Sequence, residues 1–409
     1  MDHSRTGDGP TDGRSTGDSL DGPADDGADG DDPVDGDDPV DLTCPACGRT
    51  YDAGPDEPWR CPADEHPLEL AADPRPAPDG PDGRARTAAR LGRDGLWAAE
   101  ALLPVARRVT LGEGATPLVD APAWDAAFKL EYVFPTGSFK DRGATTTLSR
   151  AAGLGVDRVL EDSSGNAGAA IATYAARAGI PADVYVPASA KPSKLRAIER
   201  AGATPVRIEG DRQAVTDACI EAVEAGEGWY ASHAWNPAFF AGTATVAVEI
   251  AAQRDWSVPD AVVTPLGHGT LFLGAYRGFR ALADAGWTDR VPRLYGAQAA
   301  GYAPIVEALH GPTAAGGDGA TNDVADGIRI REPARREEIL AAVEATGGDV
   351  VALDAGAVED ELDRLHRAGF YTEPTCAVAP AALRVLRERG TIDAGDDVVV
   401  PLTGSGLKA

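Results

Sequence analysis

The stretch Pro135-Thr136-Gly137-Ser138-Phe139-Lys140-Asp141-Arg142-Gly143 sets a lysine between a strand-like run, Ala127 to Val133, and a helix-like stretch from Ser138 to about Ala152. Lysine is scarce here, five in 409 residues, so its position is informative. At such a junction a lysine can be solvated, can contact a phosphate, or can be an amine that forms an imine with a carbonyl. The last role needs a proton that leaves readily, hence partial desolvation or a cationic neighbour.

Three further loops carry polar and glycine residues between strand-like and helix-like runs. Ser163-Ser164-Gly165-Asn166 precedes an alanine-rich helix. Free amides at a helix start make an anion site, although a plain Ser/Asn cap would read the same way. Gly267-His268-Gly269-Thr270 lets the backbone approach a phosphate and adds a hydroxyl. It is neither a Walker A loop nor a full dinucleotide fingerprint. Thr403-Gly404-Ser405-Gly406-Leu407-Lys408 ends the chain's last strand-like run. It reads either as a Gly-rich turn or as a hydroxyl able to meet a ring nitrogen. Lys140, Asn166, the glycine loop and Thr403 together meet the needs of pyridoxal phosphate. A neutral hydroxyl at the pyridine nitrogen favours β- and γ-elimination or replacement over transamination.

Cys44 and Cys47, followed by Gly48, form a knuckle that presents two thiolates to tetrahedral zinc. Cys61 supplies a third ligand and His66 a fourth, with Asp64 the weaker choice; a degenerate ribbon without metal is the alternative. The five cysteines are too few and scattered for a disulfide framework.

The elements that position these groups alternate. Strand-like runs cover Arg158–Glu161, Asp183–Pro187, Thr204–Glu209, Trp229–Ser232, Ala261–Pro265, Leu294–Gln298 and Val398–Leu402. Helical patterns cover Ala167–Ala178, Ser193–Ala201, Gln213–Glu224, Ala238–Ala252, Leu271–Ala285, Arg335–Glu344, Val358–Ala368 and Ala377–Arg389. This is an α/β pattern with largely parallel sheets, and ligands then sit beyond the carboxyl ends of the strands. Four regions follow: an acidic tail, 1–42, read as disordered; a zinc-ribbon-like segment, 43–70; a Pro/Gly/Arg-rich linker, 71–95; and a catalytic region, 96–409, with a smaller lobe at roughly 145–240. In the tail, a hexapeptide beginning at Gly30 recurs at Gly36.

The net charge of −27 argues against nucleic acid and anionic membrane as partners. The tail's 14 Asp and two Arg carry about −12 of it, so about −15 remains in the body. Such acidity with few lysines is the composition of proteins from salty cytoplasm, where screening relieves self-repulsion. With no membrane-spanning run and no secretory leader, a soluble cytoplasmic protein is expected.

Ser138-Phe139-Lys140-Asp141-Arg142-Gly143, Ser163-Ser164-Gly165-Asn166, Glu373-Pro374-Thr375-Cys376-Ala377 and the C-terminal Thr403 motif occur in an order and at a spacing that resemble threonine synthases, fold type II pyridoxal-phosphate enzymes. The resemblance spans about Cys44 to the C-terminus and implies two lobes, each a largely parallel sheet flanked by helices. It implies Lys140 as cofactor-binding lysine and general base, and Asn166 at the cofactor's phenolic oxygen. Gly267, His268, Gly269 and Thr270 would hold its phosphate, Thr403 would face the ring nitrogen, and Ser163, Ser164 and Gly165 the carboxylate of an amino-acid substrate. A homodimer is also implied.

The chain departs from that pattern where a substrate phosphate would bind. Ala167 stands where threonine is usual, and Asn236-Pro237-Ala238-Phe239 has phenylalanine in an arginine's place. Phenylalanine cannot pair with a phosphate. Arg142 and Arg277 are the cations that would have to replace it. The leading expectation is O-phospho-L-homoserine plus water giving L-threonine and phosphate. The alternative is an L-serine/L-threonine ammonia-lyase or another β-replacement enzyme. A non-catalytic binding protein leaves Lys140 without a purpose, and a nucleotide oxidoreductase lacks its fingerprint.

Overall fold

The computed structural model describes residues 39–72, 80–316 and 321–408. The acidic segment before residue 39 lies outside them. The ribbon-like segment forms an antiparallel sheet of β1 (Leu42–Thr43), β2 (Thr50–Tyr51) and β3 (Glu69–Leu70), in the order β2-β1-β3. Its buried apolar core is only Leu42, Cys44, Cys61 and Leu68, too small to hold a domain unaided. It is clasped from both sides instead. Glu57 accepts from Arg150, and Trp59 packs edge-on against Tyr230 and Trp235. Glu69 accepts from Arg277 at 2.8 Å and also from Arg335.

The supposed linker 71–95 is half helix: α1 covers Gly80–Asp94. Its proline sits at the second position, where no donor is lost, and the Arg, Ala and Leu residues that follow are strong helix formers. Arg84 ties it to the carbonyl of Trp287.

Thereafter β4 (Leu118–Ala121) and β5 (Ala126–Lys129) pair antiparallel and lead to α2 (Lys140–Leu154). The small lobe follows: β6 (Val159–Glu161), α3 (Asn166–Ala178), β7 (Ala182–Pro187), α4 (Pro192–Arg200), β8 (Thr204–Ile208), α5 (Arg212–Glu224) and β9 (Trp229–Tyr230). Its four parallel strands run β8-β7-β6-β9. Next come α6 (Pro237–Gln253), β10 (Ala261–Pro265), α7 (Thr270–Asp284), β11 (Arg293–Ala299), α8 (Pro304–His310), α9 (Arg336–Thr346), β12 (Asp349–Leu353), α10 (Ala355–Arg367), α11 (Pro374–Glu388) and β13 (Val398–Pro401). The large sheet runs β12-β11-β10-β13-β5-β4, parallel except at β4. Strands covered on both faces read as unbroken apolar runs, as Val398–Pro401 does, every residue of it buried.

The strand expected over Ala127–Val133 stops at Lys129. Beyond it the chain turns, because Glu131 is drawn inward to Arg142, whose Nε donates to it at 2.6 Å. Arg142 also donates to Glu249 at 2.6 Å, and Lys129 donates to the other oxygen of Glu249 at 2.6 Å. This buried quartet fixes β5, the turn, α2 and α6 to one another directly behind Lys140.

Candidate active site

Lys140 is the first residue of α2, and its turn is pinned to the C-terminal loop. The Phe139 amide donates to the carbonyl of Thr403 at 3.0 Å, and the Ser405 amide donates to that of Gly137 at 2.9 Å. Gly137 has φ +76°, and a Cβ there would meet the stem of Lys408 at 3.1 Å, so the turn needs glycine. Lys140 is half-buried, its Nζ 4.8 Å from the Phe139 ring and 5.6 Å from the Phe239 ring. Desolvation lowers its pKa to about 7; Glu161 and Glu373 oppose the shift and Arg212 adds to it. The sign is simple: below about pH 7 the amine is protonated and cannot attack a carbonyl. The rate at which apoenzyme captures pyridoxal phosphate should therefore rise through pH 7 and level above it, read as growth of imine absorbance. A rate still climbing at pH 9 would mean that the lysine is not desolvated.

The Ser163-Ser164-Gly165-Asn166 loop joins β6 to α3. The Gly165 amide donates to Ser163 Oγ at 3.2 Å, closing the turn. Asn166 Nδ2 donates to both oxygens of Glu373, at 2.9 and 3.1 Å, so its Oδ1 is the atom left for another partner. The glycine loop closes onto the start of α7. A Cβ on Gly269, at φ +81°, would lie 2.6 Å from Ile339, and one on Gly267 would lie 3.2 Å from Ile328. His268 is held with its ring 5.4 Å from that of His233 and its Nε2 3.5 Å from Arg212. Thr270 Oγ1 donates to the carbonyl of His233 at 3.3 Å. Thr403 Oγ1 donates to Cys376 Sγ at 3.6 Å and has no carboxylate partner. Three buried polar atoms among these elements have no hydrogen-bond partner: Ser138 Oγ, His268 Nδ1 and Lys408 Nζ. A glycine cradle at a helix N-terminus, a desolvated lysine and orphaned polar atoms fit a phosphorylated aldehyde.

Sequence reading missed Glu161, His233 and Arg212 in this site. His233 Nδ1 lies 2.8 Å from Glu161 Oε1, Glu161 at the end of β6 and His233 in the turn after the neighbouring β9. It also left open what balances Phe239. That ring is fully buried, against Gly143, where a Cβ would lie only 2.0 Å from it. Arg142 and Arg277, the cations considered in its place, are both engaged with carboxylates, Arg277 with Glu69 and Glu338.

In the ribbon, Cys44, Cys47, Cys61 and Asp64 bring one ligand atom each within 4.8 Å of one another. Cys47 and Cys61 sulfurs are 3.7 Å apart, close to the ~3.8 Å that bonds of ~2.3 Å to a tetrahedral zinc impose. His66, expected as the fourth ligand, is not part of this cluster; its Nδ1 lies 2.8 Å from the Pro67 carbonyl. The chain reverses through Asp64, whose carboxylate accepts from the His66 amide at 3.1 Å and faces Cys44.

The family model of pyridoxal-phosphate dependent enzymes matches residues 109–404. Threonine synthase of Methanosarcina acetivorans is 36% identical over 326 residues, which is 76% of this chain and 80% of that protein. Threonine synthase of Methanocaldococcus jannaschii is 32% identical over 336 residues, 77% of this chain and 80% of that one. Maize serine racemase shares the fold with a TM-score of 0.58 at 22% identity, over 80% of this chain and 93% of its own. An L-serine ammonia-lyase from Rhizomucor miehei does so with a TM-score of 0.58 at 22% identity, over 71% of this chain and 93% of its own. The chain belongs to the pyridoxal-phosphate dependent enzymes of fold type II and, within them, to the threonine synthase-like members. Among the described residues, no helix is long and apolar enough to cross a membrane.

Proposed function

We propose that this enzyme eliminates or replaces a substituent at the β- or γ-carbon of a small amino acid. O-phospho-L-homoserine, converted with water to L-threonine and phosphate, is the substrate that similarity to threonine synthases supports. The observation that carries the reading is the desolvated Lys140, joined to the glycine loop by successive ring contacts through Phe239, His233 and His268. Lys140 would hold the cofactor's aldehyde carbon and take the substrate's α-proton. Gly267 to Thr270 would hold the cofactor phosphate at the α7 N-terminus, with Thr403 at the ring nitrogen. Ser163, Ser164 and Gly165 would orient the substrate carboxylate. Bound pyridoxal phosphate supplies the electron sink for charge at Cα.

Phe239 favours a second reading, an L-serine or L-threonine ammonia-lyase. A fully buried aromatic ring offers nothing to a phosphate dianion. A substrate panel on the holoenzyme, in high salt because of the −27 charge, separates the two. The first predicts phosphate release from O-phosphohomoserine. The second predicts oxo acid and ammonia from serine or threonine. Neither product would end both readings.

The ribbon is proposed to hold a structural zinc on Cys44, Cys47, Cys61 and Asp64. Asp64→Ala should then lower the metal content of purified protein well below one per chain, while His66→Ala leaves it at one. The reverse pattern would restore His66 as the ligand.

A further inference from the structure

Glu161 ends β6 and His233 follows β9, so both stand at the carboxyl ends of neighbouring parallel strands. Glu161 is fully buried and His233 is 5% exposed. One Glu161 oxygen meets His233 Nδ1 at 2.8 Å, and the other has no hydrogen-bond partner. An ionised carboxylate with an orphaned buried oxygen is far costlier than a carboxylic acid in the same place. The proton therefore stays on Glu161, which donates to Nδ1, and the imidazole carries its own hydrogen on Nε2.

The charged and titratable groups around the pair come from every packed element. Asp162 is next in the chain and accepts from Thr216 of α5 at 2.6 Å. Lys140 starts α2, Arg212 starts α5, and His268 lies in the glycine loop. Burial raises the pKa of Glu161 and Asp162 adds to that, against Lys140, the His233 backbone N–H and Arg212; burial lowers that of His233, reinforced by Lys140, His268 and Arg212. The Phe239 ring is 6.2 Å from the His233 ring and 5.6 Å from Lys140 Nζ.

We propose that His233, loaded by Glu161, is a second acid–base residue of this site and protonates a hydroxyl as it leaves the substrate's β-carbon. The proposal rests on the elimination chemistry above and sides with a hydroxy amino acid as substrate. A phosphate departs as a stable anion, whereas hydroxide must leave as water, which is where a stored proton matters. Lys140 takes the α-proton, and the Cα–H electron pair becomes the second bond between Cα and Cβ. The Cβ–O pair goes to oxygen, which takes the proton from His233 Nε2, and the Glu161 proton moves to Nδ1. Water leaves, with a cation on Lys140 and a carboxylate on Glu161 that offset each other. The proton held by Lys140 returns to His233 Nε2 and the Nδ1 proton goes back to Glu161, which resets the pair.

The test compares L-serine with β-chloro-L-alanine on holoenzyme. Chloride needs no proton to leave. Glu161→Gln keeps a donor to Nδ1 but has no acid proton. The serine-to-chloroalanine ratio of kcat should fall about 10²-fold in Glu161→Gln and in His233→Asn, with KM for serine changed only a fewfold. The wild type should also show the infrared carbonyl band of a buried carboxylic acid at neutral pH, absent from Glu161→Gln. Equal loss on both substrates would mean a structural role and overturn the proposal, as would an unchanged ratio or a missing band. Loss of a bound divalent ion in Glu161→Gln would overturn it too, since Asp162 completes a possible cation cluster. A wild type that neither eliminates from either substrate nor exchanges the α-proton with D2O overturns it together with the reading beneath it. Exchange and chloroalanine elimination without any serine elimination overturn the proposal alone.

Discussion

Replacing Lys140 by alanine lowers turnover by about 10⁴-fold, the upper range for loss of a positioned general base. The folded state survives, because the change removes a desolvated amine that makes no hydrogen bond or ion pair among the described residues. Lys140→Arg is the sharper variant. It keeps the charge and the cation–π contacts with Phe139 and Phe239 but cannot release a proton. It should be as inactive as alanine, whereas an electrostatic role alone would leave it largely active. Steady-state rates with a thermal melt for each variant distinguish the two.

Replacing Arg142 by alanine costs about 3–5 kcal/mol of stability, because it strands Glu131 as a buried, uncompensated charge and leaves Glu249 with Lys129 alone. Adding Glu131→Gln to Arg142→Ala should recover part of that loss, since the stranded charge is the main penalty. The pH dependence weakens. In the wild type, burial opposes ionisation of Glu249, but Arg142 and Lys129 outweigh it and hold its pKa at about 2. That depressed value contributes stability above the unfolded carboxylate range, lost as pH falls toward 2. In the variant Glu249 keeps Lys129 alone, so less of this pH-dependent stability remains. Denaturant midpoints between about pH 2 and 6 measure both slopes; parallel slopes would mean that the quartet is not what holds this region.

The parts of the site legible in the sequence are those whose chemistry is local. Lys140 announces itself by a turn that only glycine permits at Gly137, and the glycine loop by two positions that a Cβ would block. The parallel sheets follow from alternating runs. What escaped depends on contacts between distant segments. Glu161 and His233 meet because β6 and β9 are neighbours, and no local pattern orders strands in a sheet. Arg142 and Arg277 look like free cations in sequence, yet tertiary partners engage both. Asp64 and His66 sit two residues apart in one turn, and only the backbone path decides which faces the sulfurs. Composition misled over residues 80–94, where Arg, Ala and Leu, all good helix formers, dominate after Gly83.

The central claim is that Lys140 bonds the cofactor. Borohydride reduction of the purified holoenzyme, followed by peptide mass mapping, tests it directly. The reduced pyridoxyl adduct is expected on the peptide containing Lys140. An adduct on Lys129, Lys191, Lys194 or Lys408, or none at all, would contradict it.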